Sequence, residues 1–205
     1  MLLEAIAAVR GEIDLRLTVV GDGPMRETWH RDAILLGISD LVDFRGAAPL
    51  EQVADAMRAA HVFCLPSVRE SGGAVLLEAM ACGRPVIAVD FGGPAEIVDE
   101  KVGRLIPAID SAAVTAALAD TMRQIVADPD RWRRKGEEGR RRAEEAFSWD
   151  AKIEQAMQLY RDLPQALPRD LPGKLPENLP LAKPDSGGEQ LLTLCGGDLP
   201  GFRGR

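Results

Sequence analysis

Two glutamates, Glu70 and Glu78, lie eight residues apart in the segment RESGGAVLLEAMACGRPVIAV, residues 69–89. A glycine pair, Gly72 and Gly73, lies between them, and most other side chains of the segment are small or apolar. Carboxylates accept hydrogen bonds from hydroxyl groups, and glycine leaves the backbone open to a ligand. The combination indicates a binding site for a polar ligand.

The elements around this segment would place it at the end of a strand. The apolar run HVFCL, residues 61–65, predicts a strand, and the pattern from about Ala74 to Cys82 predicts a helix. The first N–H groups of a helix have no intrahelical acceptor, and its dipole favours negative charge there. We therefore expect a phosphate to contact the free backbone N–H groups of Gly72, Gly73, Ala74 and Val75.

Glu78 strengthens this interpretation. It lies about one turn into an otherwise apolar helix, where an unpaired carboxylate is costly. The two vicinal hydroxyls of a ribose would supply paired donors. Glu70, before the turn, would then face the other end of the ligand. The pattern indicates a nucleoside-diphosphate sugar, with one glutamate for each end.

The rest of the chain predicts an α/β body. Apolar strand patterns alternate with helical ones, and continuous rather than alternating hydrophobicity in the strands favours a parallel sheet covered on both faces. Three helices, about 111–127, 129–146 and 149–162, complete the body. The chain opens on a helix with no strand before it, so we expect a Rossmann-like doubly wound parallel sheet, over residues 1–162, that lacks its first strand.

Residues 163–205 have a different composition. Prolines recur at every fourth position from Pro164 to Pro184. Proline is incompatible with a helix interior and with a central strand, and a four-residue period gives no single polyproline face. We expect a disordered Leu/Pro-rich tail whose removal changes the melting temperature by only a degree or two, with a partner-binding segment as the alternative.

Composition excludes several classes of function. The net charge is −7, and the basic residues of segment 128–145 are matched by acidic ones, so we expect a self-paired helix face and no nucleic-acid partner. No apolar run reaches the ~18 residues that a transmembrane helix needs. Cys64, Cys82 and Cys195 have no metal-binding spacing, so we expect reduced thiols and no metal. We expect a cytoplasmic protein, with peripheral membrane attachment as an alternative.

At this point the sequence resembles a known family. The segment PSVRESGGAVLLEAMACGRPVIAVDFGGPAEIVD is similar to the E-x7-E signature of the retaining GT-B glycosyltransferases, the "glycosyl transferases group 1" family. The pieces LTVVGDGP, LVDFRGAAP, HVFCLPS, GRLIPAID and FSWD occur in the family's order, and the resemblance covers roughly residues 1–162. It implies the C-terminal, donor-binding domain of a GT-B fold.

The resemblance also implies roles for individual residues. Glu70 would be the catalytic residue that holds the donor sugar hydroxyls, and Glu78 would bind the ribose. The substrate-binding residues would further include Ser71, Gly72, Gly73, Ala74 and Val75, with Arg45, Gly46, Ala47 and Ala48 bordering the base. Ser71-Gly72-Gly73 replaces the family's usual Gly-Phe-Gly, which removes an aromatic side chain.

The implied activity is hexosyl transfer from a UDP- or GDP-sugar to a carbohydrate or lipid, as in polysaccharide biosynthesis, without a metal or other cofactor. The family's first strand and the loop carrying an Arg and a Lys against the pyrophosphate would precede Met1. The acceptor-binding N-terminal domain would also precede Met1, or be a separate chain. We therefore expect the 205-residue chain alone to be inactive. The alternative is a non-catalytic nucleotide-sugar-binding module, or an inactive fragment of a split enzyme.

Two other enzyme classes fit less well. The turn GDGPMR, residues 21–26, matches only the first two glycines of a dinucleotide-binding G-x-G-x-x-G, with Arg26 in place of the third. A glycosidase needs its two carboxylates on opposite sides of one bond, usually from separate elements. His30 and His61 lie in helix and strand patterns that predict structural roles.

Overall fold

A computed structural model describes residues 1–163 and the backbone of residues 191–196. Six strands form one sheet: β1 (Leu15–Val20), β2 (Val42–Gly46), β3 (Val62–Leu65), β4 (Val86–Asp90), β5 (Gly103–Pro107) and β6 (Leu191–Gly196). The helices are α1 (Leu2–Ala8), α2 (Arg26–Leu35), α3 (Leu50–Ala59), α4 (Ala74–Ala81), α5 (Pro94–Ile97), α6 (Ser111–Ala127), α7 (Pro129–Phe147) and α8 (Trp149–Asp162).

The sheet is doubly wound, as the sequence predicts. Its strand order is β2-β1-β6-β3-β4-β5, and β1 pairs with β2, β3 with β4 and β4 with β5 in parallel. Side chains of consecutive residues enter opposite cores: Val19 packs with α1, α2 and α6, whereas Val20 packs with α3 and α4. Both faces of the strands are buried, which explains their continuous hydrophobicity.

Strand β6 is the main difference from the sequence-based expectation. It lies between β1 and β3 and runs antiparallel to both, with Thr193 opposite Thr18 on one side and Phe63 on the other. Because β6 pairs with both neighbours, β1 and β3 have no unpaired edge on this side. The predicted disorder of the tail does not hold for residues 191–196, and its other positions lie outside the described residues.

Helix α7 packs closely against α4 and the turn that follows it at two glycines. A Cβ atom placed on Gly136 would lie 2.3 Å from the carbonyl oxygen of Gly83, and one placed on Gly139 would lie 3.2 Å from Cγ of Met80. The approach at Gly136 is possible only without a side chain, because the overlap is with backbone, whereas the contact at Gly139 is tight and a Cβ there would displace the Met80 side chain by a few tenths of an ångström. The helix that follows the first glutamate is therefore fixed from its buried side.

The charges of α7 are only partly paired within the helix. Arg140 binds Glu144 four residues away, as the sequence predicts. Two other cationic side chains bind groups outside the helix. Lys135 Nζ is buried and donates to Glu100 (3.1 Å) and to the carbonyl of Gly103 (2.6 Å). Likewise Arg142 donates to Asp99 (2.8 Å). These bonds attach α7 to the start of β5.

We expect Gly136→Ala to lower the free energy of unfolding by about 1–3 kcal/mol, since the new Cβ overlaps the Gly83 carbonyl. Alanine has the higher helix propensity by about 1 kcal/mol, so an uncrowded site would show the opposite sign. Urea unfolding measures the change. Glu137→Ala, at an exposed position of the same helix, is the control. A stabilised Gly136→Ala protein would contradict the close packing.

Among the described residues, no helix is both long and apolar enough to cross a membrane.

Candidate functional site

The predicted residues collect at the carboxyl edge of the sheet. From β1 the chain proceeds outward to β2, whereas β3, β4 and β5 proceed in the opposite direction. Ligands of open α/β sheets bind in the crevice at such a reversal, outside the carboxyl ends of the strands. The loop after β3, residues 66–73, and the loop after β4, residues 91–93, both lie at this edge.

Glu70 is buried and holds the loop together. The residue is only 7% exposed, and its Oε1 accepts hydrogen bonds from the N–H groups of Gly72 (3.0 Å) and Gly73 (2.8 Å). Gly73 is the N-cap of α4 and has a left-handed backbone, φ 68°, which glycine adopts without steric cost. The prediction that both glycine amides are free for a phosphate is therefore wrong, because a carboxylate of the chain already occupies them.

Ala74 and Val75 remain at the start of the helix. They are the first two residues of α4, where N–H groups have no intrahelical acceptor. The side chain of Val75 is buried in the core, whereas Ser71 and Ala74 are exposed. The N–H groups of Ala74 and Val75 are therefore the part of the predicted ligand-binding backbone that lies at the accessible end of the helix.

Glu78 lies on the outer side of α4. The helix buries Val75, Leu76, Ala79 and Met80, and the position of Glu78 between them is exposed. The expectation of a carboxylate surrounded by apolar groups is wrong, since the flanking apolar side chains point to the opposite side of the helix. The predicted function does not need burial, because an exposed carboxylate about one turn into α4 can still reach a ligand.

The end of β2 forms a second part of the edge. Arg45 is exposed and donates to Asp43 (2.8 Å), and Ala47 is exposed as well. Gly46 is buried, and its carbonyl accepts from the N–H of Gly21 (2.8 Å). Strand β2 is three strand spacings from β3, which is about 14 Å. The structure thus separates the two predicted groups along one edge.

Arg26 is a cation at this edge that sequence reasoning did not select. A Cβ atom placed on Gly46 would lie 3.0 Å from its Nη1, so the guanidinium rests on that glycine. Gly46 has φ 71°, which also disfavours a larger residue. The signal was present in the turn GDGPMR, where Arg26 replaces a glycine of the dinucleotide motif.

The two histidines and the buried cysteine are not part of these loops. His61 directly precedes β3, at the other edge of the sheet, and burial lowers its pKa, as does the nearby Arg84. His30 stacks on Phe44 with ring centroids 4.0 Å apart. Burial raises the pKa of the Cys64 thiol. Over residues 1–163, no group of three His, Cys, Asp or Glu side chains could hold a metal ion.

Comparison with known proteins identifies the family. The sequence model of the family described as glycosyl transferases group 1 matches residues 1–128, more than half of the chain. The chain belongs to this family. Alpha-maltose-1-phosphate synthase of Mycolicibacterium smegmatis is 44% identical over 120 residues, which cover 57% of this chain and 31% of that protein.

Two further similar proteins are described together with a nucleotide. The GDP-mannose-dependent alpha-(1-6)-phosphatidylinositol monomannoside mannosyltransferase of M. smegmatis is 36% identical over 158 residues, or 73% of this chain and 40% of that protein. The crystal structure of Anabaena HepE in complex with UDP has a TM-score of 0.67 at 25% identity, covering 79% of this chain and 44% of HepE. The chain thus spans less than half the length of these proteins.

Proposed function

We propose that residues 1–163 are the donor-binding domain of a retaining GT-B glycosyltransferase and bind a nucleoside-diphosphate sugar. One observation carries the proposal: the buried Glu70 carboxylate holds the amides of Gly72 and Gly73 at the start of α4, on the carboxyl edge of the sheet. The resulting loop combines a fixed acceptor with the positive end of a helix. Those are the two features that a sugar phosphate requires.

Glu70 keeps capacity for a sugar hydroxyl. An ionised carboxylate has about four lone-pair positions, and the two glycine amides use two of them. A hydroxyl of the donor sugar donates to a remaining position. The N–H groups of Ala74 and Val75, at the positive end of α4, then bind the phosphate that the glycine amides cannot bind.

The nucleoside extends along the edge from this point. Glu78, on the exposed side of α4, accepts from the ribose hydroxyls, and Arg45, Gly46 and Ala47 border the base. Arg26, which contacts Gly46 and pairs with Asp22 (3.8 Å), places a guanidinium at this end of the edge. UDP and GDP are the two nucleotides that the names of the relatives support.

Transfer requires an acceptor hydroxyl held against the donor in a cleft closed to water. In the proposed enzyme a second domain supplies that surface, and the acceptor is a carbohydrate or a lipid. No metal enters the proposed chemistry, because the helix terminus and the amides take the phosphate charge.

Titration calorimetry tests the proposal with UDP, GDP, UDP-glucose and GDP-mannose as probes. The expected result is binding of one nucleotide and its sugar, without added metal. Failure of all four probes to bind a folded protein would contradict the proposed function.

Glu78→Ala is expected to weaken binding of the free nucleoside diphosphate at least ~10-fold, because it removes two hydrogen bonds to a charged acceptor. The loss for the nucleotide sugar should be the same, since the ribose is common to both ligands. Glu144→Ala, which removes one partner of an exposed pair on α7, is the control. Unchanged nucleotide affinity in Glu78→Ala would remove Glu78 from the site.

A further inference from the structure

The loop after β4 packs against the backbone of the Glu70 loop. A Cβ atom placed on Gly92 would lie 2.1 Å from the carbonyl oxygen of Glu70. One placed on Gly93 would lie 2.6 Å from the carbonyl oxygen of Gly72 and 2.7 Å from that of Ser71. Any side chain at either position would overlap backbone atoms, which cannot move aside as the end of a flexible side chain can. The contact therefore requires two glycines.

This contact fixes the direction of the amides above it. In a planar trans peptide, a carbonyl and the N–H of the next residue point in opposite directions. The carbonyls of Ser71 and Gly72 approach Gly93, so the N–H groups of Gly72 and Gly73 point away from it. Those are the two N–H groups that donate to Glu70. Gly93 thus lies behind the peptide groups whose other side faces the Glu70 carboxylate.

Gly92 and Gly93 are held in place by the helix α5 that follows them. Pro94, the first residue of α5, is buried, and its ring carbons would lie 3.4 Å from a Cβ atom placed on Gly73. The carbonyls of Gly92 and Gly93 accept from Ala95 (3.1 Å) and Glu96 (3.0 Å). Ile97, at the end of the same helix, is buried in the core. A displacement of the glycine pair would therefore have to disturb the packed helix α5.

We propose that Gly92 and Gly93 are positioning residues for donor binding: they set the peptide orientation of residues 70–73 and so the place of the Glu70 carboxylate. The inference rests on the proposed function for its consequence in binding. It assigns a role to the sequence FGGP, residues 91–94, which contributes no side chain to the proposed ligand contacts.

Gly93→Ala tests this role with little backbone strain, because Gly93 has φ −54° and ψ −39°, which alanine adopts readily. We expect UDP-glucose or GDP-mannose, whichever the wild type binds, to bind at least ~10-fold more weakly, since small misplacements of binding groups are costly. The matching free nucleoside, uridine or guanosine, has the base and the ribose but neither the phosphates nor the donor sugar, and it should keep its affinity. The amides of Gly72 and Gly73 should exchange hydrogen faster in Gly93→Ala, because their bonds to Glu70 are broken.

Ala95→Ser adds one atom at an exposed position two residues further along and is the matched control, with no expected change. A double-mutant cycle with Glu70→Ala separates positioning from general destabilisation. The two losses in sugar-nucleotide affinity should be non-additive if both changes release the same amides. Additive losses, or wild-type affinity and exchange in Gly93→Ala, would overturn the inference.

Pro94→Ala is the second variant if Gly93→Ala does not fold. It removes the ring beside Gly73 without adding an atom, and we expect it to weaken sugar-nucleotide binding and to speed exchange at Gly73 in the same sense. Unchanged binding and exchange in Pro94→Ala would overturn the inference. If the wild type binds neither probe, the proposed function fails, and the exchange rates of Gly72 and Gly73 alone decide whether the glycine pair orients the loop.

Discussion

Replacing Glu70 with alanine is expected to lower the free energy of unfolding by about 2 to 4 kcal/mol and to weaken binding of a nucleoside-diphosphate sugar by ~100-fold or more. Each bond from a glycine N–H to the carboxylate contributes about 1.5–3 kcal/mol, as hydrogen bonds to charged groups do. The Gly72 amide lies in an exposed residue and regains water, whereas Gly73 is buried and its N–H would be left without a partner. The loss should therefore be smaller than the full sum of two bonds.

The effect on ligands should differ from that of Glu78→Ala. The sequence alone predicts that Glu70→Ala spares the free nucleotide and weakens only the nucleotide sugar. The structure changes this expectation, because Glu70 also orients the amides at the start of α4. We expect the free nucleotide to bind more weakly as well, by less than the nucleotide sugar. Calorimetry with both ligands distinguishes the two outcomes.

Glu70→Gln is the matched variant. Its amide oxygen can accept from the same two N–H groups without the charge, so we expect a stability between those of the wild type and Glu70→Ala. Urea unfolding compares the three proteins, provided that the slope of the unfolding free energy against urea concentration is the same for each. If Glu70→Ala were as stable as the wild type, the carboxylate would not be holding the loop.

Removing β6 is the second change with a large expected effect. A chain that ends at Gly188 loses the strand between β1 and β3, whereas a chain that ends at Asp198 keeps it. We expect the shorter chain to melt more than ~5 °C lower, because a small domain moves by several degrees for each kcal/mol lost. It should also self-associate, because two unpaired strand edges inside the sheet become available to other chains. Thermal unfolding and sedimentation velocity measure the two effects.

A single substitution tests the same strand without shortening the chain. Thr193 lies opposite both Thr18 and Phe63, so proline there removes a backbone donor from the middle of a paired strand. Thr193→Val keeps the backbone and the β-branch and is the control. If Thr193→Pro and Thr193→Val melted at the same temperature, the strand would not contribute to the sheet.

The sequence by itself determined the elements of the body and their order. The helix predicted at 111–127 is α6, Ser111–Ala127, and the strand predicted at 61–65 is β3, Val62–Leu65. Hydrophobic period and the punctuation by Gly and Pro are local properties, so they can be seen without knowing what packs against what. The same local pattern located the loop between Leu65 and Ala74.

Only the tertiary structure decided which N–H groups of that loop already have a hydrogen-bond acceptor within the chain. Whether a carboxylate turns back to bind Gly72 and Gly73, or points outward, depends on the backbone path of the loop, and Gly92 and Gly93 fix that path from about 20 residues away in sequence. The exposure of Glu78 depends on which side of α4 meets the core and α7. The place of β6 depends on pairing with strands more than 120 residues earlier, which no local period contains.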